Sequence, residues 1–332
     1  MGQGRKKLLA KLSLKKINDY VNLYFTPFLC LIGYKKGFLI GSDNLKIGFI
    51  GAGKVGTAFG IYLKNNGFEV CGYYSKTFAS AQQAAMLTNS KAVVCVDEIV
   101  NTSEILFITT SDDAIEKVCN DLAQKNLLHK GQIIVHMSGA ASSNILREAK
   151  KKGCFIYSMH PLQAFADIEK AVEDLKSTVF SIEGDQEKFE VMENILKKLG
   201  NTYFKLTQEQ KSIYHMTACV VSNYLVTLMD YGLSLFLSIG IDEEEGYKAL
   251  YPLIEGTIKN IYNLGTKNAL TGPIARGDIG TVQKHIEALK NIKPDCLEFY
   301  KFLGLKTAEL AEKKDINNKE KLEELKNILK EV

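Results

Sequence analysis

Proline is scarce, with five residues in a chain of 332, which argues against a loop-built or linker-dominated protein. No CxxC pair occurs. The seven cysteines (Cys30, Cys71, Cys95, Cys119, Cys154, Cys219 and Cys296) are odd in number and widely spaced. A disulfide framework or a zinc site needs closer, repeated spacing, so no metal is expected. Several of these thiols lie in apolar runs, where cysteine behaves as a small hydrophobe; a reducing, cytoplasmic setting is the expectation. A basic surplus on the folded body is also missing. Residues 1–45 carry eight Lys/Arg and two acids, a surplus of +6, and the rest of the chain balances at −2. A nucleic-acid binder carries its positive charge on the folded domain, so no nucleic-acid partner is expected.

The most apolar stretch near the N-terminus, residues 21–34, falls short of the roughly 20 residues a spanning helix needs, and Pro27 interrupts it. Lys35-Lys36 follow where a signal peptide would place small residues, and Lys6 breaks the myristoylation pattern. No membrane partner is expected. Residues 1–45 read as an extension, either disordered or upstream of the true start. Leu45 directly precedes Lys46-Ile47-Gly48-Phe49-Ile50, where a nucleotide-binding fold would begin.

The chain as a whole has average globular composition, 46% hydrophobic and 24% charged, and from residue 46 onward its pattern changes clearly partway. Strand-like runs at 47–50, 70–74, 93–96, 105–109, 133–136 and 155–158, then 178–182 and 203–205, alternate with helical segments such as 58–65 and 115–124. That alternation predicts a parallel sheet with crossover helices. After about Thr207 the periods are helical only. Residues 208–239 read as one long helix, and helices near 243–262, 279–290 and 296–314 precede a Lys/Glu-rich terminal helix expected to be solvated. The expected architecture is α/β, a Rossmann doubly wound parallel sheet over residues 46–207, followed by an all-α domain over 208–332.

Gly51-Ala52-Gly53-Lys54-Val55-Gly56 is a GxGxxG turn between a strand and a helix. The first glycine permits the tight turn, the second admits a pyrophosphate, and the third lets helix and strand pack closely. Free N–H groups at the helix start favour phosphate. NAD enzymes place an acid about 20 residues on, at the ribose 2′-hydroxyl. Here the region reads Tyr73-Tyr74-Ser75-Lys76, and no acid lies between Glu69 and Asp97. Ser75 and Lys76 suit a 2′-phosphate, so NADP(H) is expected; the alternative is a solvated lysine on a loop.

Ligands of such sheets lie beyond the carboxyl ends of the strands. Thr110 and Ser111 follow the fourth strand, and Ser111 or Asp112 also serves as a helix cap. Ser138 and Gly139 follow the fifth, placed to face a nicotinamide, while His136 alternates toward the interior. His160 follows the sixth, as a buried histidine or a cleft residue. The helical half offers His215, Ser222, Asn223 and Arg276. Unmatched polar groups on the apolar face of a long helix cost stability unless something binds them. Histidine donates a proton near neutral pH, and Arg276 can fork onto a carboxylate. Asp278 reads as the cap of the helix after it. Thr257 and Asn260 are either pocket residues or core.

GFIGAGKVGTAFG, HMSGA, MHPLQAF, YHMTACVVSN and ALTGPIARGD, spread over residues 46–312, together resemble a bacterial family of Rossmann-like proteins with a C-terminal domain of unknown function. That family is related to pyrroline-5-carboxylate reductases and β-hydroxyacid dehydrogenases. The resemblance implies an oxidoreductase acting on a small molecule and a homodimer formed through the helical domain. It implies His215 and Asn223 as catalytic residues; beside them, the residues themselves put Ser138 at the nicotinamide as a third catalytic candidate and Ser222, His160 and Arg276 toward substrate. The catalytic lysine that β-hydroxyacid dehydrogenases carry three residues before an Asn pair is missing from Cys219-Val220-Val221-Ser222-Asn223. The expected activity is reduction of a small, carboxylated carbonyl or imine. A pyrroline-5-carboxylate-type imine reductase and a non-catalytic NADP(H) sensor are the alternatives.

Overall fold

In the computed structural model, residues 45–314 and 319–330 are described; the extension assigned to residues 1–45 lies, Leu45 apart, outside them. The chain divides into two units. One holds residues 45–137 and 145–204, and the other holds Ser138–Asn144 together with the chain from Lys205 onward.

The first unit is an eight-stranded sheet. Its strands are β1 (Lys46–Ile50), β2 (Glu69–Tyr74), β3 (Lys91–Ala92), β4 (Ile105–Ile108), β5 (Ile133–His136), β6 (Phe155–Pro161), β7 (Phe180–Gly184) and β8 (Tyr203–Lys205). They lie in the order β3-β2-β1-β4-β5-β6-β7-β8. Pairings from β3 through β6 are parallel, and β7 runs antiparallel to β6 with Met159 opposite Ile182. A parallel sheet is covered on both faces, which is why β4 (ILFI) and β5 (IIVH) are buried at every position. One face stacks Phe49 on Tyr73 and Phe107 at centroid distances of 5.0 and 5.4 Å. The other packs Ile50, Ile108 and Ile134 against Ile115 and Leu146. Strand order reverses between β1 and β4, and their carboxyl ends flank the ligand crevice of doubly wound sheets. Cys119 and Cys154 sit in the second face, and burial pushes their thiols up to about 11 and about 12. They are packing residues, not reactive ones.

Three local expectations need correction. The strand expected at 93–96 is displaced: β3 ends at Ala92, Val94 is exposed, and Val96 opens helix α3 (Val96–Thr102), after α1 (Lys54–Asn65) and α2 (Phe78–Thr88). Asp97 and Glu98 in its first turn favour the positive helix end. The long helix expected over 208–239 is broken. After α4 (Asp112–Gln124), α5 (Arg147–Lys151), α6 (Ile168–Leu175) and α7 (Phe189–Leu199), the chain forms α8 (Gln210–Val221) and α9 (Asn223–Ser238). Ser222 between them has φ −111° and ψ −66°. Two β-branched residues followed by serine are poor helix formers, and the break falls on them. The terminal helix is not simply solvated: α10 (Glu243–Ala269), α11 (Pro273–Arg276), α12 (Ile279–Ile292) and α13 (Leu297–Glu312) lead to α14 (Lys319–Lys330), whose Leu322, Leu325 and Leu329 are buried. They close a core with Ile274, Val282, Ile286 and Ala308. Only its Lys/Glu face meets water.

Helices α8 to α10 contrast with that core. Ile213, Met216, Val220, Tyr224, Val226, Tyr251, Leu253 and Tyr262 are all exposed. By length and composition alone, the span Gln210–Ser238 is apolar enough to cross a membrane, and little of it is buried. Thr257 and Asn260 are exposed on α10, so they are not core residues.

Candidate functional site

In the first unit, the turn from β1 to α1 is built by three glycines with three different reasons. Gly51 has φ +106°, and a Cβ there would sit 2.7 Å from the Thr109 carbonyl group. Only glycine adopts that backbone without strain. Gly56 packs so closely that a Cβ would meet Thr109 Oγ1 at 2.3 Å and the Gly51 carbonyl oxygen at 2.7 Å. Gly53 differs: its backbone is extended, and a Cβ there would have none of the described residues within 4 Å. The space over Gly53 is therefore open, where a bulky anion can approach the main chain.

The surroundings match. Gly53 is the N-cap of α1 with no side-chain cap, and the first turn holds no acid. Its orphan N–H groups and positive dipole end are left for an anion. Thr109 Oγ1 donates to the Gly51 carbonyl at 2.8 Å, and Gly51 N–H donates to the Tyr74 carbonyl at 2.8 Å. The second bond sets the end of β2, and hence Ser75 and Lys76, beside the turn; Lys76 is exposed. Ala52 and Val55 pack partly against the core. Lys54 reaches away, donating to the Ala166 carbonyl at 2.5 Å. Ser111 stands at the N-cap of α4 but makes no side-chain cap bond, while Thr110 Oγ1 donates to the Ser111 carbonyl at 3.4 Å. A tightly packed glycine turn leading into an uncapped, acid-free helix start fits the anionic part of a dinucleotide. His136 is fully buried, as its alternation predicts. His160 lies on β6 opposite Ser181, half-buried.

The second unit contains Ser138–Asn144 although that segment lies between β5 and β6 in sequence. Ser138 and Gly139 are buried there. The Ser138 hydroxyl oxygen accepts from the N–H groups of Ala140 and Ala141 at 3.3 and 3.2 Å. That turn occupies the oxygen with shaping the segment. Its carbonyl accepts from Lys211 Nζ at 3.1 Å. Lys211 is 1% exposed, and its ammonium lies 5.6 Å from the Tyr214 ring centroid, within cation–π reach.

Lys211 was not singled out by sequence, yet it begins a polar stripe. Lys211, His215 and Cys219 recur every four residues and share one face of α8. His215 Nε2 lies 3.5 Å from Cys219 Sγ. His215 Nδ1 is shielded from water and has no hydrogen-bond partner among the described residues. A sequence signal existed, since a lysine one turn before a polar histidine extends the same face, but a lone helical lysine ordinarily reads as solvated. Ser222 is the break itself and Asn223 opens the next helix, both exposed. Arg276 ends α11 and is exposed, whereas Asp278 caps α12 by accepting from Thr281 N–H at 3.1 Å and Thr281 Oγ1 at 2.8 Å. Those bonds hold the Asp278 carboxyl below its usual range, with Arg276 adding a smaller pull.

The chain matches a Rossmann-like domain over residues 36–161 and a domain of unknown function, DUF2520, over residues 178–307. A solved protein of Thermotoga maritima is 28% identical, with a TM-score of 0.65 over 80% of this chain and 98% of its own. A Bacteroides fragilis protein described as an NADP oxidoreductase is 21% identical, with a TM-score of 0.64 over 81% and 100%. Pyrroline carboxylate reductase of Plasmodium falciparum, solved with NADP bound, is 15% identical, with a TM-score of 0.53 over 87% and 99%. Comparison with curated proteins gives no match.

Proposed function

We propose that this protein is an NADP(H)-dependent reductase of a small carbonyl or imine compound carrying a carboxylate. The observation that carries the reading is the open space over Gly53 in an otherwise tightly packed glycine turn. Gly51, Gly53 and Gly56 would hold the pyrophosphate, Ser75 and Lys76 the 2′-phosphate, and Thr110, Ser111 and Gly139 the nicotinamide half. The bound dinucleotide supplies the hydride chemistry; the protein supplies position and a proton. His215 is the proton donor, its Nδ1 kept from water and free to meet a reacting oxygen or nitrogen. Arg276 forks onto the substrate carboxylate, with Ser222, Asn223 and His160 completing orientation. Lys211 holds the 138–141 turn and places a positive charge beneath it.

Titration with NADPH and NADH tests the cofactor assignment. Lys76→Ala is expected to lower NADPH affinity about ten- to hundredfold, the loss of one charge-assisted hydrogen bond, and to leave NADH affinity unchanged. Equal affinity of the wild type for both cofactors would remove the Ser75–Lys76 assignment and leave the fold untouched.

The partner of the helical unit is a second copy of the chain. The apolar side chains left open on α8 to α10 exceed the scattered exposure normal for a monomer, and a cleft of 520 Å³ lies among Val226, Thr227, Met229, Asp230 and Tyr247. Light scattering in detergent-free buffer is expected to give twice the 37.0 kDa chain mass. A monomer would count against this, and a requirement for detergent would point to a lipid surface instead.

A further inference from the structure

A histidine that gives up a proton must carry it on the nitrogen that faces the acceptor, and the two ring nitrogens are distinguished by what the other one binds. In α8 the two are plainly unlike. Nδ1 is buried with no hydrogen-bond partner among the described residues, and Nε2 lies 3.5 Å from Cys219 Sγ, one turn along the same face. We propose that Cys219 is a positioning residue for His215: its thiol donates S–H to Nε2 and holds the imidazole as the Nδ1–H tautomer. This rests on the reading of His215 as the proton donor.

The direction of the bond follows from the two partners. Divalent sulfur is a weak acceptor, and a neutral imidazole nitrogen is a good one. The contact is therefore stronger with hydrogen on sulfur than with hydrogen on Nε2. Once Nε2 accepts, the ring's own proton must reside on Nδ1. There it has no partner among the described residues, so an N–H shielded from water is left to be satisfied by whatever oxygen or nitrogen arrives. A free imidazole prefers the opposite tautomer, with hydrogen on Nε2. Without the thiol, the unmatched Nδ1 would present a lone pair to the arriving atom in place of an N–H; with it, the S–H proton passes to Nε2 as the Nδ1 proton is given up, so the ring stays neutral and the charge rests on sulfur. Cys219 does not touch the reacting atoms; it decides which of two histidines the site contains.

The measurement is the tautomer itself, read from long-range ¹H–¹⁵N correlation spectra of the imidazole nitrogens at about pH 7.5, where an unperturbed ring is neutral. The chain has five histidines, and the signal lost in His215→Asn assigns the ring. Wild type is expected to show about a tenfold excess of Nδ1–H. Cys219→Ala should invert that ratio, and Cys219→Ser, which keeps a donor one turn along, should restore it. A merely structural role for Cys219 would move folding and leave the nitrogen shifts alone. Predominant Nε2–H in wild type, or a ratio that Cys219→Ala leaves unchanged, would overturn the proposal. The spectra need no substrate and no cofactor. A His215 variant that keeps full reductase activity would instead remove the donor reading while leaving the tautomer result standing.

Discussion

Replacing His215 by asparagine is expected to lower the rate of NADPH oxidation by about 10²- to 10⁴-fold, the usual contribution of a positioned general acid. The dissociation constant for NADPH should stay within about twofold of the wild type, since the cofactor turn lies on β1 and α1 and His215 on α8. The assay is a panel of small keto acids and cyclic imines followed at the NADPH absorbance. Asparagine fills similar space and can hydrogen-bond, but it cannot give a proton, so the change isolates acid chemistry from packing. A rate that survives within tenfold would mean the proton comes from elsewhere, and Lys211, one turn earlier, would be the next residue to test. Tight NADPH binding with no turnover across the panel in wild type would favour the sensing alternative.

Alanine at Gly53 and alanine at Gly51 are expected to fail in opposite ways. At Gly53 the backbone is extended and the new Cβ meets none of the described residues within 4 Å. The variant should melt with the wild type. The methyl would occupy the space in which the pyrophosphate approaches the main chain, and NADPH affinity should fall a hundredfold or more, about 3 kcal/mol. At Gly51 the same methyl requires a φ of +106° and lies 2.7 Å from the Thr109 carbonyl group. The backbone strain alone costs about 1–3 kcal/mol, and the clash with strand-end backbone adds to it. Thermal melting and NADPH titration of the two variants separate the effects. A Gly53→Ala protein that binds NADPH normally would show that the open space is not where the phosphates go.

Much of the sheet unit is legible in the sequence, because its signals are local. A GxGxxG between a buried strand and a helix fixes a turn, and near-continuous apolar runs such as ILFI and IIVH fix parallel strands. Asp278 as a cap was equally local, decided by its own hydroxyl and N–H neighbours at Thr281. Features that depended on distant chain were not readable. Lys211 looks like any solvated lysine until the Ser138 carbonyl is placed against it. The break at Ser222 is a contest between propensity and packing that periodicity does not arbitrate. The leucines of α14 were masked by the lysines and glutamates around them, which dominate composition but occupy the other face.

The bond from Lys211 to Ser138 spans 73 residues of sequence, and it joins the helical unit to a seven-residue segment emitted between two sheet strands. On a ribosome that segment emerges well before any helix of its own unit exists. Closing so long a loop is entropically slow, so the helical unit is expected to reach its final state late, after the β5 and β6 strands have fixed both ends of the segment. Gene truncation is constrained for the same reason. A fragment starting at Lys205 would lack the Ser138 carbonyl that accepts from Lys211, and no single cut in the gene can deliver the two units whole.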